Sequence, residues 1–180
     1  MSQEEVKTAL LKTIEGLQNN PNASKVVFRA ETELMENVRC KAKVRNFPPM
    51  FTDEPPELAG GDTGMNPVEL VLVALGTCQE VMYSAYAAVM GIQLDSVKCN
   101  IKGNLDLKGL FGLDPNVPAG YSRISFETII QSSASPEQLK QLAQTVESHC
   151  PVLDTLQRPM EVTGKVTANG QPLSMEAAAE

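Results

Sequence analysis

From the N-terminus, apolar residues recur at Val6, Leu10, Ile14 and Leu17, which is the spacing of one helical face. Glu4 and Glu5 fall in the first turn, where the helix dipole favours acids, and Gly16 with the Asn/Pro cluster after it marks the end. Two partly alternating runs, KVVFRAETEL and VRCKAKVRNF, flank the short link MEN and predict a hairpin. PPMFTDEPPELAGGDTGMNP is too rich in Pro and Gly for regular structure beyond a short strand near Met50 to Thr52. Ordered loops of this length are often functional.

The pattern then changes to a long, mostly apolar helix from Asn66 to about Gly91. Asn66 is a good N-cap, Pro67 suits the first helical position, and Glu69 completes a capping box. Gly91 is placed to end the helix. Glu69, Gln79 and Glu80 interrupt its apolar character, so the reading is a buried core helix rather than a membrane span, which needs about 20 predominantly apolar residues. Met82 and Met90 lie at helical spacing and are expected in the core.

DSVKCNIKGNLDLKG alternates, with Val97, Cys99 and Ile101 on one side and Leu105 and Leu107 continuing the run. YSRISFETIIQSS predicts a second strand with Ile124 and Phe126 on one face. SASPEQLKQLAQTVESH predicts a helix capped by Ser135, CPVLDTLQ a short helical turn, and RPMEVTGKVTANG the last strand. Consecutive strands with helices between the groups predict an α+β fold with antiparallel sheet. We divide the chain into an N-terminal helical extension (1–24), a main domain (25–170) and a frayed tail (171–180).

Composition narrows the function. The 180 residues suffice for a real core, built from Val, Leu, Ile, Ala and Met because aromatics are only 4%. A net charge of -7 argues against nucleic acid as a partner, which calls for clustered Lys and Arg. The opening MSQEEVKTALLKT lacks a secretory pattern, and four cysteines without a CxxC pair do not form a disulfide framework. Both point to a cytoplasmic protein with reduced thiols.

Two of those thiols carry the candidate chemistry. Cys78 shares a helical face with Val71, Ala74, Leu75, Val81, Met82 and Ala85, so locally it reads as a small buried hydrophobe. Cys150 precedes Pro151 and would occupy a helix N-cap, a position that favours a thiolate. His149 is adjacent, but sequence neighbours rarely face each other, and Cys78, Cys150 and His149 lack the ligand spacing of a zinc site, so no metal is expected. Glu69 lies nine residues before Cys78, on the opposite side of a regular helix, so its service would be to the cap or to another chain. Cys40 and Cys99 read as structural.

The order DEPPELAGGDTGMNPVELVLVALGTC, followed some seventy residues later by HCPVLDTL, resembles the OsmC/Ohr superfamily of osmotically inducible and organic hydroperoxide resistance proteins. The resemblance spans Lys25 to Val166 and implies an OsmC-like fold: antiparallel sheets wrapped around a long central helix in an intertwined homodimer. It implies thiol-dependent reduction of organic hydroperoxides, with Cys78 peroxidatic, Cys150 resolving and an external dithiol as reductant, and no bound cofactor. Two features depart from the family's pattern. Its peroxidases place an acid directly after Asn-Pro, where Val68 stands here. They also use an N-terminal arginine to hold the thiolate, and here Arg29, Arg39 and Arg45 all qualify. Without a nearby cation, a thiol on an apolar face is expected to have a raised pKa. The alternative is a non-enzymatic dimer of the same fold that binds an apolar small molecule or senses redox state.

Overall fold

The computed structural model describes residues 2–173. Its first helix, α1 (Gln3–Asn19), starts at a capping box of Ser2 and Glu5, runs through Gly16, and is followed by a 3-10 turn at Pro21–Ser24. The Gln3 side chain donates to the Ile92 carbonyl, which ties α1 to the end of the central helix.

A three-stranded antiparallel sheet follows, ordered β1 (Glu31–Glu36), β2 (Arg39–Lys43), β3 (Met50–Thr52). The hairpin falls where MEN predicts it, with Asn37 at positive φ in the turn. The strand itself starts later than the sequence suggests: residues 25–30 have no ladder partner, and β1 is exposed along its whole length. Among the described residues this sheet packs extensively on no other element.

The loop after β3 is organised by Asp53. One carboxylate oxygen accepts from the Glu54 amide, the other from the amides of Gly61 and Thr63 and from the Thr63 hydroxyl. Gly60 is required by close approach, because a Cβ there would lie 1.7 Å from the Glu54 carbonyl oxygen. The loop delivers Asn66 to cap α2 (Pro67–Met90), with the expected reciprocal bonds between Asn66 and Glu69 at 2.8 and 2.9 Å. Gly91, at φ 70, ends the helix. By length and composition α2 could cross a membrane, but it lies against α1 and the elements that follow it.

β4 (Ser96–Leu105) and β5 (Tyr121–Gln131) form an antiparallel ribbon whose inner face carries Val97, Cys99 and Ile101 opposite Ile130, Thr128 and Phe126. This face covers α2. Gly76 permits the approach, since a Cβ there would sit 2.6 Å from Ile101 Cδ1. Leu107 does not extend the strand as its spacing suggests. Asp106 caps a single turn, α3 (Leu107–Leu110), because its carboxylate accepts from the Lys108 amide.

α4 (Pro136–His149), opened by a Ser135/Gln138 capping box, packs Leu142 and Val146 into a cluster with Tyr83, Ala87 and Ile92. Met82 and Met90 pack against it. The ring of Pro151 disfavours helical geometry at the residue before it, so Cys150 adopts an extended conformation (ψ 112) and the chain restarts as α5 (Pro151–Gln157). The predicted last strand is short. Only Val166–Ala168 (β6) is extended in a ladder, and it pairs with Gln171–Leu173 (β7) across an Asn169-Gly170 turn with both φ positive. The tail boundary at Gln171 is therefore corrected to beyond Leu173, and the remainder of the expected tail, 174–180, lies outside the described residues.

The accessible surface is 13791 Å² for a 19.4 kDa chain, against roughly 8,500 Å² for a compact monomer of that mass. Much of the excess is apolar, including Val26, Val27, Phe28, Leu34 and Val81.

Candidate active site

Seventy-two residues separate Cys78 from Cys150, yet their sulfurs lie 3.4 Å apart. The turns of α2 and the break before Pro151 produce this meeting. Cys78 is partly exposed, whereas Cys150 is fully buried. Leu75 and Leu153 form a buried cluster with Cys150, and Cys78, Met82, Ile101, Ile124, Phe126 and Val152 pack around it. Both thiols are free, and their separation is contact rather than the roughly 2.05 Å of a bond.

The helical face read for Cys78 is divided. Leu75 and Met82 join its own core, while Ala74 and Val81 are exposed to solvent. One side of α2 is thus paired within the chain and the other is not.

Burial pushes the Cys78 thiol above its ordinary range, and the neighbouring Cys150 adds to the rise. The Val152 amide, in the first turn of α5, opposes both by favouring the thiolate. The N-terminus of α5 therefore serves Cys78 rather than Cys150, whose side chain makes no cap bond. Among the described residues, no arginine is among the groups that shift the Cys78 thiol. Arg45 stacks on Phe47, and Arg39 on Phe51, with the Arg39 Nε buried and without a hydrogen-bond partner.

Glu69 is occupied by its cap, where its carboxylate accepts from the Asn66 amide. His149 does not join the thiols. Its Nδ1 lies 2.8 Å from the Thr145 carbonyl and its ring packs on Tyr86. Among the described residues no cluster of His, Cys, Asp or Glu could hold a metal ion. Cys40 sits on β2 opposite Thr52, and Cys99 is 3.5 Å from the Thr128 hydroxyl. Burial raises the Cys99 thiol too.

Two features of the site escape sequence reasoning. A cleft of about 440 Å³ opens beside the thiol cluster, lined by apolar side chains such as Leu75, Phe126 and Leu153 and by polar ones, Ser122, Arg123 and Gln157 among them. Gln79, adjacent to Cys78 in the chain, is fully buried, with neither amide atom hydrogen-bonded. The signal for Gln79 was present: an amide on the same face as Leu75 and Tyr83 of an apolar helix.

A long central helix, antiparallel sheets and two converging thiols define an α+β protein of the OsmC fold. The family model described as OsmC-like protein matches residues 60–165, and the chain belongs to that family. The match begins after the three-stranded sheet. No curated protein matches the chain. Among solved structures, an OsmC-like protein from Mycoplasma pneumoniae is 20% identical with a TM-score of 0.65, covering 74% of this chain and 89% of that one. An organic hydroperoxide resistance protein OsmC from Legionella pneumophila is 16% identical (TM-score 0.57, 74% and 92% covered). An organic hydroperoxide resistance protein from Elizabethkingia anophelis with bound thiocyanate is 15% identical (TM-score 0.56, 74% and 91% covered). At these identities the likeness establishes the fold.

Proposed function

We propose that the protein is a homodimeric, thiol-dependent reductase of organic hydroperoxides. The 3.4 Å approach of Cys78 and Cys150 carries this reading. The Cys78 thiolate attacks the O–O bond, its sulfur takes the terminal oxygen as a sulfenic acid, and the alkoxide leaves to become the alcohol. Cys150 then attacks the oxidised sulfur, a disulfide forms, and water departs. An external dithiol, of the kind a reducing cytoplasm supplies, restores both thiols. The partial exposure of Cys78 suits the attacking role, and the burial of Cys150 suits the waiting one. The apolar part of the cleft beside the pair, with Leu75, Phe126 and Leu153, gives room for the organic group of a hydroperoxide.

Dimerisation is supported by the excess surface and by a sheet that its own chain leaves uncovered. A second copy packed on the exposed side of α2 would further dehydrate Cys78, so a cation has to come with it. Arg39, on that uncovered sheet with an unpartnered Nε, is the leading candidate.

The test is to treat the reduced protein with one equivalent of cumene hydroperoxide, quench by alkylation and map the cysteines by mass spectrometry. The expected product is a Cys78–Cys150 disulfide with Cys40 and Cys99 alkylated. Four alkylated thiols after minutes of exposure would overturn the reading. The second reading, a dimer that binds an apolar small molecule without turnover, is favoured by the cleft together with the raised Cys78 thiol. It expects ligand-dependent stabilisation that survives Cys78→Ala.

A further inference from the structure

α2 runs antiparallel to the α4–α5 segment, and the packing fixes their register. Leu75 meets Cys150 and Leu153, while two turns further along α2 Tyr83 meets Leu142 and Val146. Gln79 lies midway between Leu75 and Tyr83 on the same face, four residues from each. It is therefore level with the stretch from Val146 to Cys150. Among the described residues neither amide atom of Gln79 has a hydrogen-bond partner, and a buried amide calls for one.

Cys150 has the complementary deficit. Its side chain caps nothing, the Val152 amide acts on Cys78, and the polar contact its sulfur makes is with the Cys78 sulfur. Before it can attack, Cys150 has to shed its proton, and that puts negative charge on a fully buried sulfur. Some donor must meet that charge, and the Gln79 amide is the spare group at that level of the core.

We propose that Gln79 donates a hydrogen bond to the Cys150 sulfur as it attacks Cys78, and so sets the rate at which the oxidised Cys78 is resolved. The proposal rests on the reading of Cys150 as the resolving thiol. In that step the Cys150 sulfur forms the S–S bond, the S–O bond of the Cys78 sulfenic acid breaks, and the departing hydroxide takes up the proton Cys150 has shed, leaving as water. Losing a hydrogen bond to a charged sulfur slows such a step roughly tenfold to a hundredfold.

The experiment separates this role from peroxide chemistry by using Ellman's reagent in place of hydroperoxide. With Cys40 and Cys99 replaced by serine, the reagent first forms a mixed disulfide at Cys78 in a phase that depends on its concentration. Cys150 then displaces the second thionitrobenzoate in a concentration-independent phase. Gln79→Met, similar in volume but without an amide, is expected to leave the first phase unchanged and slow the second by tenfold or more. Gln79→Leu is a second variant expected to give the same separation. A second phase at the parent rate in a folded variant overturns the proposal, as does equal slowing of both phases, which is what a purely structural role would give. Dimedone trapping of Cys78 after hydroperoxide, run on the parent alone, reports separately on the peroxidase reading.

Discussion

The two halves of the molecule treat their apolar residues in opposite ways. From α2 onward the chain covers itself: β4–β5 lies on one side of the central helix, α4 and α5 on another, and Leu75, Leu142, Val146 and Cys150 are sealed between them. Between α1 and the Asp53 loop it does not. Phe28 is 87% exposed, Val27 72%, and β1 buries none of its six residues. A small sheet open on both faces is marginal in water unless something packs on it. The contrast teaches that one chain brings its own thiol pair together but leaves the apolar residues before and along β1 uncovered.

Three variants break or sharpen this contrast. Cys78→Ser strikes the self-sufficient half. Hydroperoxide turnover should fall roughly a thousandfold or more, while stability changes by about 1 kcal/mol. Stopped-flow consumption of cumene hydroperoxide and a urea melt check the two parts, and full turnover would sink the peroxidase reading. The double substitution Val27→Asp, Phe28→Asp strikes the uncovered half. Each such side chain buried in a dimer contributes about 2 kcal/mol, so the dimer should weaken roughly a thousandfold or more. Light scattering should then read 19.4 kDa in place of twice that mass, and the melting temperature should lose its dependence on protein concentration.

The third variant, Thr63→Val, tests the loop that joins the halves. The Thr63 hydroxyl is the main reason the Asp53 carboxyl lies below its ordinary range, with the amides of Thr63, Glu54 and Gly61 helping against burial. A carboxylate favoured in the folded state stabilises above its unfolded pKa of about 3.9, and that stability is lost as pH falls through the lower folded value. Thr63→Val should therefore melt a few degrees below the parent at pH 7. The gap should narrow as pH falls below the unfolded value of about 3.9 and close once Asp53 is protonated in both proteins.

Much of the architecture is local and was legible in the sequence. The capping boxes at Asn66 and Ser135, the stop at Gly91 and the alternation from Val97 to Ile101 depend on groups a few residues apart, and each appears where its pattern places it. The misplacements are also local. Residues 25–30 have strand composition but no ladder partner, because hydrogen bonding between strands needs a neighbour that propensity does not supply. Leu107 fits a strand alternation but follows Asp106, whose carboxylate caps a helical turn.

The site is a different matter. A cysteine on an apolar face is the same pattern whether it packs or reacts, so the residues around Cys78 could not by themselves decide its role. The OsmC resemblance named the pair, but only the packing of α2 against the α4–α5 break brings two sulfurs 72 residues apart to 3.4 Å. The same packing buries Gln79, the residue after Cys78, and turns the Val152 amide toward Cys78. What the sequence determined alone was the order of the main elements and the ends set by local signals, at Asn66, Gly91 and Ser135, since caps and stops act over a few residues. Which thiol is open and which is sealed depends on contacts between distant segments, and only the tertiary structure decided that.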